Sequence, residues 1–151
     1  MRRFSIFLTV LAFAASAAVT LAQTSPTIVM PSQLKWSTQG LPKGMAIATV
    51  TGNPNGTGMY VQRLKMADGS QFAPHTHGKT EMVSVLSGTL MAGIGSKFDK
   101  TKMKAMPAGT FIVMPAGVPH YVMAKGDVML EISGMGPSTT KMLSGGGNMS
   151  M

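Results

Sequence analysis

Beyond residue 22, no segment of useful length repeats its apolar residues at a helical period. From Gly44 onward the chain is instead cut into short apolar runs by glycine, proline and Asp-Gly or Asn-Gly steps. Gly44–Thr51 is apolar and partly β-branched, and Gly52–Gly58 is a dense turn cluster. Met59–Met66 then alternates, with Tyr60, Gln62, Leu64 and Met66 on one face and Val61, Arg63 and Lys65 on the other. That pattern predicts a hairpin with one face inward. Further short strands are predicted at Met82–Leu86, Thr89–Ile94, Thr110–Met114, Tyr121–Met123 and Val128–Ser133. No solenoid-period repeat is present. Many short strands between turn signals, in a chain of 151 residues, predict one all-β sandwich or barrel domain.

The ends read differently. Arg2 and Arg3 precede a nearly continuous apolar or small-residue run from Phe4 to Ala18, and Ala17 and Ala22 offer small-residue cleavage positions. Residues 1–22 therefore read as a secretory signal peptide, leaving Gln23 first in a periplasmic or secreted chain. An uncleaved anchor is the alternative, against which Thr9, Ser16 and Thr20 dilute the run. No later stretch is apolar enough to span a bilayer. Residues 23–41 are polar, proline-punctuated and carry no clear element. The domain is expected over 23–138, with 139–151 a flexible tail ending in the low-complexity stretch 144–151.

The chain has three histidines, His75, His77 and His120. A two-residue spacing on a strand sends His75 and His77 to one face, their Cα atoms roughly 6–7 Å apart, so two imidazoles can converge on one ion. Gly78–Thr80 can turn the chain to bring Glu81 in from an adjacent strand. The rigid Pro115–Pro119 turn can aim His120 from a distant one. Three neutral imidazoles and a carboxylate suit a first-row divalent cation. A lone carboxylate inside an apolar barrel is costly, and a bound cation removes that objection.

These segments resemble the paired signature motifs of the cupin superfamily. Gly69, His75, His77, Glu81 and Gly88 occupy the marked positions of the first motif, and Gly109, Pro115, Gly117 and His120 those of the second. The 20 residues between Gly88 and Gly109 suit the gap found in small cupins. The resemblance covers Gly69 to Ala124 directly and implies a single-domain jelly-roll-like β-barrel from about Met45 to Ser133. It implies one divalent ion, Mn, Fe, Ni, Cu or Zn, held by His75, His77, Glu81 and His120. Where the second motif often ends in asparagine, this chain has Ala124; that asparagine is not a ligand, so ligation is unaffected. Cupins often pair through outer strands, which implies a homodimer.

The resemblance does not fix a reaction, because cupins include dioxygenases, isomerases, decarboxylases, binders and sensors. One reading is a metal-dependent enzyme, dioxygenase- or isomerase-like, on a small organic substrate. Glu81 then doubles as proton acceptor, with Tyr60, Gln62, Gln71 and Tyr121 as nearby polar candidates. The other is a non-catalytic metal or small-molecule binder. A third, copper handling, draws on the 16 methionines, although in the mature chain they are scattered as core gap-fillers usually are.

Composition closes other routes. Cysteine is absent, which excludes disulfides, thiolate zinc sites and cysteine nucleophiles. Without Arg2 and Arg3, 11 basic residues face 5 acidic ones, a formal charge of +6. Lys97, Lys100, Lys102 and Lys104 account for much of it, without interleaved aromatics or a nucleic-acid module. They read as a solvated basic loop and no nucleic-acid partner is expected, weak attraction to anionic surfaces or substrates being the residual reading.

Overall fold

The computed structural model describes residues 25–143 and 148–150; the expected leader, residues 1–22, lies outside them. Nine strands form one curled, entirely antiparallel sheet. They are β1 (Met45–Thr51), β2 (Met59–Met66), β3 (Gln71–His77), β4 (Glu81–Ile94), β5 (Lys104–Pro107), β6 (Phe111–Met114), β7 (His120–Met135), β8 (Thr139–Met142) and β9 (Asn148–Ser150). The helical pieces among the described residues are two 3₁₀ turns, Pro31–Gln33 and Lys100–Lys102. The predicted all-β barrel is what forms. No described helix is long and apolar enough to cross a membrane.

β7 is the hub. Its C-terminal half lies between β2 and the start of β4, and its N-terminal half between β3 and the end of β4. β4 also carries β5 and β6, while β3 continues through β8 to β9. The β1–β2 hairpin turns at the predicted glycine-rich cluster. Its open side is met by Ser37, which exchanges two 2.8 Å backbone hydrogen bonds with Ile47.

Besides adding β3 and β5 to the expected strand list, the structure differs from it in two ways. Met82–Leu86 and Thr89–Ile94 are one strand, β4, and Tyr121–Met123 and Val128–Ser133 belong to one strand, β7. Between the two halves, the β4–β7 register shifts on both sides of Ser87. Gly88 sits there with φ +75°, and a Cβ at that position would collide with the Asp127 carbonyl oxygen. The glycine therefore marks a bend followed by both partners, not a strand end. Second, the expected tail begins as structure: Thr139–Met142 pairs with β3, and Thr140 is buried at 1% exposure. This segment has little apolar signal of its own, because what holds it is the backbone ladder to β3.

Inside, Met45, Leu64, Met66, Phe72, Val85, Leu90, Ala124, Val128, Leu130 and Ile132 pack as one apolar cluster. Truncating a member such as Leu130 to alanine costs roughly 2–5 kcal/mol. Outside, β6 is paired only to β4, and the facing residues Met82 and Val113 stand 38% and 56% exposed, beside Phe111 at 61%.

Candidate metal centre

A bulge in β3 sets the site. The β3–β7 register shifts between Phe72 and His75, across Ala73-Pro74, where proline has no N–H to give to a ladder. On a regular strand Phe72 and His75 would face opposite sides. With the bulge both line the same cavity, their rings 4.5 Å apart, and His77 follows on the same face. His75 lies directly across from His120, the first residue of β7, with ring centroids 4.2 Å apart. His77 is 4.9 Å from His75 and 5.0 Å from His120 on the same measure. The Pro115–Pro119 turn that aims His120 is anchored to β3 by the Gly117 N–H, which donates to His77 O at 2.9 Å. Gly117 has φ +75°, a conformation that glycine adopts without strain.

One ring nitrogen of each histidine already has a partner. His75 Nδ1 is 2.7 Å from Ala73 O, and His120 Nδ1 is 3.0 Å from Val118 O. A carbonyl only accepts, so each Nδ1 carries the proton and each Nε2 keeps its lone pair. His77 Nδ1 faces the Thr140 hydroxyl at 3.2 Å. The three imidazoles each offer a donor nitrogen within 4.8 Å of the others, and all three residues are buried. Outer partners that fix the ring tautomer in this way are what a preorganised metal site requires.

Glu81 opens β4, buried, with Oε2 3.3 Å from His77 Nε2. Its other oxygen, Oε1, accepts from the Tyr60 hydroxyl at 3.0 Å and from the Ser138 hydroxyl at 3.4 Å. Tyr60 reaches it across β7: Tyr60, Gly134 and Glu81 stand in one row of the sheet. A Cβ at Gly134 would lie 3.0 Å from the Tyr60 oxygen, so the missing side chain makes the passage.

Burial governs the protonation of the cluster. It pushes His75 down to about 4, with help from His120, and His77 down to about 3, with help from its two histidine neighbours. His120 is lowered for the same reason. Burial pushes Glu81 up to about 7, against the hydrogen bonds from Tyr60 and Ser138, and Tyr60 up to about 12. Imidazoles that burial holds neutral and a carboxyl group that burial makes costly to ionise are a donor set complementary to a divalent ion.

The cluster lies in a cavity of about 590 Å³, walled by apolar side chains including Leu64, Phe72, Leu90, Ile112, Leu130 and Ile132. That volume is within the range of small-molecule sites. All four residues named from the sequence, His75, His77, Glu81 and His120, line it. Of the polar candidates, only Tyr60 is brought to the site, from behind Glu81. Gln71 is exposed, Tyr121 gives its hydroxyl to Asp99 O, and Gln62 is buried without lining the cavity. Sequence reasoning misses Ser138, the last residue of the expected domain, and Thr140, in the expected tail, because no local pattern marks either as a partner of the site. A usable signal for Tyr60 did exist: the inward-facing series Leu130, Ile132, Gly134 ends in a residue with no side chain.

The fold agrees with the comparisons. A family model described as Cupin matches residues 41–145, and the chain belongs to the cupin family. Germin-like protein subfamily 3 member 3 of Arabidopsis thaliana is 34% identical over 82 residues, covering 54% of this chain. The chain spans 39% of that relative's length. Among solved structures, the polyketide cyclase RemF from Streptomyces resistomycificus superposes with a TM-score of 0.62 at 16% identity, over 76% of this chain and 84% of its own. An RmlC-like cupin from Shewanella frigidimarina gives 0.58 at 16% identity, over 72% and 89%. Likeness at these identities is likeness of fold.

Proposed function

We propose that the chain holds one divalent ion (Mn, Fe, Ni, Cu or Zn) through His75, His77, His120 and Glu81, and acts on a small organic molecule in the adjoining cavity. The carrying observation is the convergence of three buried imidazoles, each with its other nitrogen engaged, beside a buried carboxylate. A bound ion supplies Lewis acidity and open coordination positions for an organic ligand. The protein's residues do the rest. Ala73 O and Val118 O hold two rings in the ligating tautomer. Tyr60 and Ser138 hold Glu81 Oε1, leaving Oε2 toward the cluster, where it can take a proton from a ligand. The apolar walls exclude water.

A second reading, a metal-dependent binder without turnover, is favoured by one observation. Among the described residues, the titratable side chains lining the cavity apart from the four site residues are Lys102 and Lys104, and no acid–base pair of described residues flanks the cluster. The two separate on metal-loaded protein assayed against small phenolics, keto acids and sugars. Metal-dependent turnover of one of them supports the enzyme. Tight metal-dependent binding without turnover selects the binder, and neither would remove both.

We also propose export, on the strength of Arg2, Arg3 and the apolar run that follows; the mature chain then begins at Gln23, which intact mass of protein from a secreting host checks. The exposed apolar outer face at Met82, Phe111 and Val113 supports pairing of two copies. Phe111→Lys is then expected to give monomers in sedimentation, whereas a wild-type monomer would end that proposal.

A further inference from the structure

We propose that the cavity selects organic anions with an apolar body, whose negative group is held at the rim by Lys102 and Lys104. The lysine-rich stretch is exposed to solvent, but two of its members also line the cavity, and among the described residues they are its only cationic side chains. Lys104 is there by strand geometry. It stands across from Ala92, and Met106 across from Leu90, in the β4–β5 ladder. All four of these residues line the cavity, so Lys104 occupies an inward-facing position of β5. Among the described residues it has no carboxylate within ion-pair distance. A lysine there runs its stem along the apolar wall and carries its ammonium to the water-facing rim.

Lys102 is placed by a pinned loop. Tyr121, 1% exposed, packs its ring 5.0 Å from Phe98 and donates its hydroxyl to Asp99 O at 3.0 Å. Gly93, across from Tyr121 on β4, has no side chain, and a Cβ there would strike the tyrosine ring. The Asp99 carboxylate then accepts from the Thr101 N–H at 2.9 Å and the Thr101 hydroxyl at 2.6 Å, shaping the 3₁₀ turn Lys100–Lys102. Asp99 also lies 3.7 Å from Lys102 Nζ and neutralises part of its charge, so Lys104 carries more of the selection.

The walls between rim and histidines are apolar, and among the described residues Glu81 is the only acidic one lining them. A molecule that fits buries an apolar body and meets positive charge at the mouth. An exposed ammonium contributes only a fewfold in affinity, so the expected effects are moderate.

The inference rests on the proposed use of the cavity as a ligand site, but not on the ion. Two dyes that differ chiefly in charge test it: 8-anilinonaphthalene-1-sulfonate and the uncharged N-phenyl-1-naphthylamine, titrated by fluorescence into the mature chain with and without Co(II). Lys104→Gln is expected to weaken the sulfonate about threefold and Lys102→Gln with Lys104→Gln up to about tenfold, while the neutral dye shifts less than about twofold. Co(II) affinity and thermal midpoint are expected to stay at wild-type values in these variants, and bound Co(II) to quench the sulfonate dye. An unchanged sulfonate affinity in the double variant, equal weakening of both dyes, or a bound sulfonate that Co(II) at the histidines fails to quench would overturn the proposal. If Co(II) does not bind but the lysine effect persists, the rim stands and the metal reading falls.

Discussion

The Tyr60 hydroxyl donates to Glu81 Oε1 at 3.0 Å across an intervening strand, through the gap left by Gly134. The carboxylate is thereby turned so that its other oxygen faces His77. Three strands distant in sequence meet in one row to orient a single oxygen.

Tyr60→Phe keeps the ring and removes that donor. Loss of an outer partner of a ligand costs roughly 10–100-fold in metal affinity. Because Ser138 still donates to Oε1, the lower end, about tenfold, is expected in competition against a chelator. A Co(II) spectrum and affinity indistinguishable from wild type would remove Tyr60 from the site.

Proton release on metal uptake follows from the protonation of the cluster. With His75 at about 4 and His77 at about 3, both imidazoles are neutral at pH 6, and neither has a proton to give up. Glu81, raised to about 7, is mostly protonated there and must ionise to meet a cation. At pH 6, calorimetry in buffers of differing ionisation enthalpy is expected to show about one proton released per ion, a release that shrinks as pH rises through 7, with affinity falling as pH drops. Glu81→Gln is expected to abolish the release. Two or three protons released at pH 6 would mean the histidines titrate near their ordinary value.

Gly88 and Gly69 share a positive φ, +75° and +73°, but differ in surroundings. A Cβ at Gly69 meets open space, whereas one at Gly88 strikes the Asp127 carbonyl. Gly69→Ala is expected to cost about 1–2 kcal/mol in urea unfolding, and Gly88→Ala at least about 1 kcal/mol more. Equal losses would mean that the β4–β7 bend tolerates a side chain.

Much of the centre was legible because its signals are local. The His75–His77 spacing sets a shared face whatever the rest of the chain does, and the Pro115–Pro119 turn delivers His120 from its own sequence. What was not legible is contact between distant strands. Nothing near Ser138 or Thr140 announces a partner for Glu81 or His77, and the tail expectation conceals Thr140. Lys104 is solvent-exposed as expected, but its place at the cavity rim depends on the pairing of β5 with β4. Gly88 was read as a boundary because a bend shared by two strands has the same residue signature as a turn.

The central claim is that His75, His77 and His120, with Glu81, hold one divalent ion. Titration of metal-stripped mature chain with Co(II), followed by its visible absorption, addresses it most directly. One ion per chain is expected, with no site-specific spectrum once all three histidines are alanine and circular dichroism still reports a folded sheet. Binding with unchanged stoichiometry and spectrum in that triple variant would contradict the account.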